Sequence, residues 1–191
     1  EPTVGGWGAC KGHDGQVGLF CVGDGETYNV PVEMAETRYG IRVDEHSLHT
    51  DGAGAGEYRG GSGAVRVYRS MNENQTFTAS FGRNKWPVWG AAGGKDGSVN
   101  YFQFIDADGT VSEPMGIAAR RVMNTNDVVR MVTATGGGYG NPFKRPAEKV
   151  AMDVKNEYIT VEQAKADYGV LVDPETFKVL GLTEERQKAE K

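Results

Sequence analysis

The chain has 191 residues, 38% hydrophobic and 25% charged, which is ordinary for a globular protein. Its net charge of −5 and pI near 5.3 leave no basic footprint for nucleic acid. No apolar run approaches a membrane span or resembles a secretory leader, so a cytoplasmic protein that engages neither membrane nor nucleic acid is expected.

In chain order, the two thiols come first. Cys10 and Cys21 do not make a disulfide scaffold; pairing across a hairpin is open, and two reduced thiols are favoured over it. With His13 they supply three soft ligands at most, short of the four a structural zinc site usually takes, so no metal is expected. "GLFCV" (18–22) reads as a short strand. "YGIRVDEHSLH" (39–49) and "AVRVYR" (64–69) alternate apolar and polar residues, and "QTFTASF" (75–81) puts Phe77, Ala79 and Phe81 on one side. "SVNYFQFI" (98–105) runs into "DADGT" (106–110), whose Asp-Gly pair signals a hairpin turn, and "DVVRMVTAT" (127–135) is a further β-branched run. No helix is read among them, so a mainly β body, sandwich or barrel-like, is expected before residue 141.

Composition changes at Asn141–Pro142. Of the 28 glycines, 26 lie in residues 1–140, and only Gly169 and Gly181 follow. The reading is a glycine-rich β domain over 1–140 with a helical and strand-forming extension over 141–191 packed on it, α+β overall. After Pro146, Ala147, Val150, Ala151 and Val154 recur at helical spacing. Thr160 and Gln163 fit a capping box for a second helix that Gly169 ends. "VLVDPET" (170–176) reads as a strand closing in a turn, and "TEERQKAEK" (183–191) as a charged end that frays.

The stretch "DGAGAGEYRGGSG" (51–63) holds six glycines. A dinucleotide fingerprint needs G-x-G-x-x-G between strand and helix, and no register supplies it; "GGGYGNPFK" (136–144) lacks the GK[ST] of a P-loop. Tyr58, Arg59 and Tyr139 inside the clusters argue against a flexible linker. What survives is rigid turning and close backbone approach. His46 and His49, three apart on a strand, point to opposite faces and are not a metal pair. His13 and Asp14 sit in a glycine-rich loop as possible catalytic contributors. In "FGRNKWPVWGAAGGKDG" (81–97), Trp86 and Trp89 beside Arg83 and Lys85 suit a substrate pocket or a protein interface as well as they suit a loop pinned by two buried indoles.

"GGWGA…DG" (5–15), "VPVEMAETRYGIRVDEHSL" (30–48), "GAGAGEYRGGSGAVRVYR" (54–69), "WPVWGAAGGKDG" (86–97), "NDVVRMVTATGGGYGNPFKR" (126–145) and "ITVEQAKADYGVLVD" (159–173) together resemble successive motifs of the hydantoinase B/oxoprolinase family. The resemblance is to the C-terminal portion of the B subunit of an N-methylhydantoinase or 5-oxoprolinase, so the chain is expected to enter part-way through a longer subunit. It implies an ATP-dependent complex that opens hydantoins, N-methylhydantoins or 5-oxoproline, in which an ATP-binding A subunit phosphorylates the substrate and the B subunit handles the activated species. A subunit of a related ketone carboxylase and a non-catalytic assembly module are the alternatives. The family's metal ligands belong to the N-terminal portion, so this chain is expected to bind no cofactor, with ATP/Mg and a divalent metal held elsewhere in the complex. The implied partners are the N-terminal portion of the B subunit, the A subunit and a small cyclic amide. His13 and Asp14 stand as possible catalytic loop residues, and Arg59, Lys85, Trp86 and Trp89 as substrate-binding ones.

Overall fold

The structure is a computed structural model that describes residues 4–19 and 30–189. In chain order its elements are α1 (Val32–Tyr39), β1 (Ile41–His49), β2 (Gly63–Ser70), β3 (Gln75–Ser80), β4 (Tyr101–Ile105), β5 (Ile117–Met123) and β6 (Val128–Val132), then α2 (Ala147–Lys155), α3 (Val161–Tyr168), β7 (Val170–Val172), β8 (Val179–Leu182) and α4 (Glu184–Ala189). A four-stranded antiparallel sheet runs β1–β2–β6–β4, and β3 pairs with β5 in a separate ribbon.

Alternation explains the layering. Phe102 and Phe104 of β4 are buried with Val129 and Met131 of β6. Phe77 of β3 meets both phenylalanines edge-on, with ring centres 5.6 and 5.4 Å apart, and so seats the ribbon on the sheet. The mainly β body is therefore present. The DADGT turn also forms, with Gly109 N–H donating to Asp106 O at 2.8 Å, but the returning chain makes only isolated bridges to β4 and passes on to pair with β3 as β5.

Two expectations need correction, and one strand went unread. A helix, α1, does stand among the strands; it follows Pro31, buries Ala35 and stops at Gly40, whose φ of 60° is left-handed. Strand β5 escapes the alternation rule because Arg120 and Arg121 sit in its middle and most of it is exposed. The charged end does not fray from residue 183: α4 forms, because Arg186, only 4% exposed, donates to Tyr168 O at 2.9 Å and Arg145 O at 2.8 Å. The run at 18–22 is described only at Gly18 and Leu19; its remainder, with Cys21, lies outside the described residues. Cys10 is exposed.

Downstream, α2 begins after Pro146 and turns Val150, Ala151 and Val154 inward. Helix α3 has the full capping box: Thr160 Oγ1 accepts from Gln163 N, Gln163 Oε1 accepts from Thr160 N, and Gly169 ends the helix at φ 64°. These helices and β7 enclose a second core of Val150, Val154, Ala164, Tyr168, Val170 and Val172, joined by Ala55 from the glycine-rich stretch. Full burial of a side chain such as Val150 or Val170 contributes about 1.5–3 kcal/mol.

The glycine clusters do not form ladders, yet their backbones are paired. Residues around 5–16, 54–61, 88–97 and 134–140 lie side by side as extended segments. Gly6 N donates to Ala134 O, Gly54 N to Gly136 O, Gly61 N to Trp7 O, Gly136 N to Gly61 O, Lys95 N to Ala55 O and Gly138 N to Lys95 O, all at 2.7–3.0 Å. Tyr58 and Tyr139 exchange both backbone bonds. The segments touch so closely that a Cβ on Gly60 would lie under 3.0 Å from Gly136 backbone, and one on Gly136 equally close to Trp7 backbone. Close backbone approach, the surviving sequence reading, is what these residues do.

Candidate functional site

Along one edge of the glycine array lies a buried ion cluster. Arg145, 2% exposed, follows the short 3-10 turn Pro142–Lys144 and uses all five guanidinium N–H groups. Nη1 donates to Asp14 Oδ1 at 2.7 Å and to Glu57 O at 3.0 Å; Nη2 donates to Asp14 Oδ2 at 2.9 Å and reaches Asp153 Oδ2 at 2.8 Å; Nε donates to Asp153 Oδ2 at 2.9 Å. Arg59 completes the group. Its Nε lies 3.5 Å from Asp153 Oδ1, its Nη1 donates to Gly60 O at 2.8 Å, its guanidinium stacks 4.3 Å from the Tyr158 ring centre, and its backbone N–H donates to Asp14 Oδ1 at 2.7 Å. Two cations and two anions balance, and the cluster joins the 10–15 loop, the glycine stretch, the 3-10 turn and α2.

The charges are set by these contacts. At Asp14 burial pushes the carboxyl up, but the hydrogen bonds and charge of Arg145, with the Arg59 N–H, outweigh it and hold the pKa below the ordinary value. Asp153 is more deeply enclosed. There burial pushes the pKa up and outweighs the pull of Arg145 and Arg59, whose guanidiniums lie within 3.5 Å. Arg145 is shifted upward: burial disfavours its charge, but Asp14 and Asp153 more than restore it. Burial also raises Tyr168, whose enclosed hydroxyl has no hydrogen-bond partner among the described residues. A carboxylate as fully bonded as Asp14 is a weak base; its chemistry is to fix the loop that carries His13.

The sequence candidates therefore separate. Asp14 and Arg59 come together, with Arg145, Asp153 and Glu57, which sequence reasoning did not single out; Arg145 and Asp14 are 131 residues apart, and no local spacing signals such a pair. His13 is exposed, in a tight turn where its N–H and C=O both bond Cys10 at 3.1 Å. Lys85, Trp86 and Trp89 stand on another loop, and the indoles are not buried: Trp86 is 77% and Trp89 67% exposed. Arg83 lies 5.1 Å over the Trp89 ring. His46 and His49 take separate partners, His46 Nε2 near Arg66 Nε at 3.3 Å and His49 Nδ1 near Thr133 O at 2.8 Å. A cavity of about 770 Å³ opens elsewhere, between β3 and the sheet, beside Tyr68, Phe77, Phe81 and Met131. Among the described residues no group of three or more His, Cys, Asp or Glu is placed to hold a metal ion.

Residues 1–142 match the family model for Hydantoinase B/oxoprolinase. The chain belongs to that family. A putative D-/L-hydantoinase B subunit of Pseudomonas sp. (strain NS671) is 31% identical over 169 residues, which cover 86% of this chain and 28% of that protein. The crystal structure of the ATP-dependent caprolactamase from Pseudomonas jessenii superposes with a TM-score of 0.75 at 30% identity, covering 98% of this chain and 32% of that one. An acetone carboxylase in a nucleotide-free structure matches with a TM-score of 0.77 over 98% of this chain and 29% of its own; at 18% identity it shares the fold. The chain thus spans less than a third of the length of each of these proteins. Among the described residues no helix is long and apolar enough to cross a membrane.

Proposed function

We propose that this chain is the C-terminal part of the B subunit of a cytoplasmic ATP-dependent cyclic-amide hydrolase. It works with the N-terminal portion of that subunit and an ATP-binding A subunit to open a hydantoin, N-methylhydantoin or 5-oxoproline ring. The observation that carries the reading is the joint agreement of sequence and fold with the caprolactamase, 30% identity at a TM-score of 0.75 over 98% of the chain. An unactivated ring amide is a poor electrophile. Transfer of the terminal phosphoryl group of ATP to the carbonyl oxygen makes the ring carbon attackable by water, after which the ring C–N bond breaks and phosphate leaves. ATP/Mg and the metal belong to other parts of the complex. Within this chain Asp14 and Arg59 are positioning residues, holding the His13 loop against the glycine array. Lys85, Trp86 and Trp89 are exposed and open to contact with another polypeptide of the complex.

The test is ATP consumption by the assembled complex with each candidate substrate. A hydantoin, N-methylhydantoin, 5-oxoproline or lactam that stimulates phosphate release and yields the ring-opened acid supports the reading. Stimulation only by a ketone with bicarbonate moves the chain to the carboxylases. Turnover that persists in a complex lacking this chain leaves it an assembly module.

A further inference from the structure

The loop Arg83–Trp89 combines features that exposure alone does not explain. Trp86 and Trp89 are 77% and 67% exposed, yet the loop is firmly held. Asn100 N and Nδ2 donate to Arg83 O and Gly82 O at 3.1 and 2.7 Å, Gly97 N to Val88 O at 2.8 Å, and Gly90 N to Asp96 Oδ1 at 2.8 Å. Arg83 is kept at φ 50°, the left-handed region that favours glycine. Beside the loop opens a cavity of about 300 Å³, walled by Leu19, Phe81, Arg83 and Val88 over the Gly5–Gly6 backbone. Arg83 and Lys85 form no ion pair among the described residues, in a chain whose net charge is −5.

We propose that this loop and its cavity form a protein-docking site, and that the occupant is a segment of another polypeptide of the same complex bearing an apolar side chain flanked by carboxylates. This rests on reading the chain as part of a multi-subunit hydrolase. The apolar side chain enters the cavity, the two indoles close over it, and the carboxylates meet Arg83 and Lys85. Rigid, pre-ordered tryptophans beside arginine are the residue types that dominate protein interfaces, because little freedom remains to be lost on binding. A cyclic amide fits the site less well: it is small, small-molecule sites enclose most of their ligand, and Trp86 and Trp89 are largely exposed. The charge fits as well. Two cations that form no ion pair among the described residues, on an acidic chain, attract an acidic partner and repel a second copy.

The intact complex is treated with N-bromosuccinimide, and oxidation at Trp86 and Trp89 is read by mass spectrometry against the isolated chain. Protection of at least fivefold in the complex is expected. The paired variant Arg83→Glu/Lys85→Glu, both on the surface, is expected to retain its circular dichroism and melting temperature. It should bind its partners at least tenfold more weakly at low salt, with the gap narrowing at about 0.5 M salt as charges are screened. Trp86→Ala/Trp89→Ala should weaken binding at both salts. Equal oxidation in complex and isolated chain overturns the site. So does unchanged assembly of the charge-reversed variant, self-association of the isolated chain that Trp86→Ala/Trp89→Ala abolishes, or a raised KM for a cyclic amide with assembly intact. A chain that isolates from cells alone and monomeric overturns the multi-subunit reading and this site with it, whereas a complex with reactive indoles overturns the site alone.

Discussion

Around Gly60 and Gly136 the chain meets itself backbone to backbone, whereas around Val150 and Tyr168 it meets itself side chain to side chain. In the first region the segments come too close for a Cβ, and the holding force is the row of N–H···O bonds between extended segments. In the second, apolar burial holds the helices together, and the Asp14–Arg145–Asp153–Arg59 cluster fastens them to the first. The array gives up side-chain burial and gains rigidity: a stretch that composition alone would assign to a linker becomes a fixed body from which loops 10–15 and 83–89 project.

The sharpest way to break this contrast is a single methyl group. Gly60→Ala would drive its Cβ into Gly136 backbone, which has nowhere to move. A loss of at least about 3 kcal/mol is expected, read as insoluble protein or a Tm lower by roughly 6–12 °C. Arg145→Met comes next. It leaves Asp14 and Asp153 without their shared partner, and buried pairs broken in this way cost about 3–5 kcal/mol by denaturant unfolding. If Arg145→Met melts like the parent chain, the cluster does not fasten the two regions.

Acid probes the same joint more gently. The folded pKa of Asp14 is lowered, so its stabilising contribution is complete above its ordinary value of about 3.9 and is lost as pH falls through the folded value. Asp153 is raised and has the opposite sign: the cost of keeping it ionised in the fold eases as pH falls through its folded value. Asp14→Asn is therefore expected to be less stable than the parent at neutral pH, with the difference shrinking below about pH 4, where Asp14 of the unfolded chain begins to protonate. Urea unfolding across pH 3–7 measures it. A gap that grows toward acid contradicts the assignment. The smallest effect belongs to Gly82→Ala, where no atom lies within 4 Å of the added methyl; a change within about 0.5 kcal/mol is expected.

What could be read from the residues follows from how local the governing physics is. Thr160, Gln163 and Gly169 announce α3 because a cap is decided within four residues, and β3 shows its alternation because one of its faces is buried. Helix α1 was hidden by the absence of a side-chain cap, and β5 by the arginines at its centre. Helix α4 was hidden because its anchor, Arg186, is a buried charge bonded to carbonyls of Tyr168 and Arg145. In the candidate site, Asp14 and Arg59 stood out by their loops. Arg145 and Asp153 did not, since they look like ordinary charges of a helix-rich extension until the chain returns from 131 residues away. Elimination showed that the glycines pack closely. Which segment each one meets is a property of the whole fold.

Native-state hydrogen exchange tests the central claim most directly, because a hydrogen-bonded glycine array and a flexible glycine linker differ by orders of magnitude at the same amides. The amides of Gly54, Gly60, Gly61, Gly136 and Gly138 are expected to exchange as slowly as those of Val129 and Met131 in β6. Exchange of these glycines within seconds, while β6 stays protected, would contradict the account.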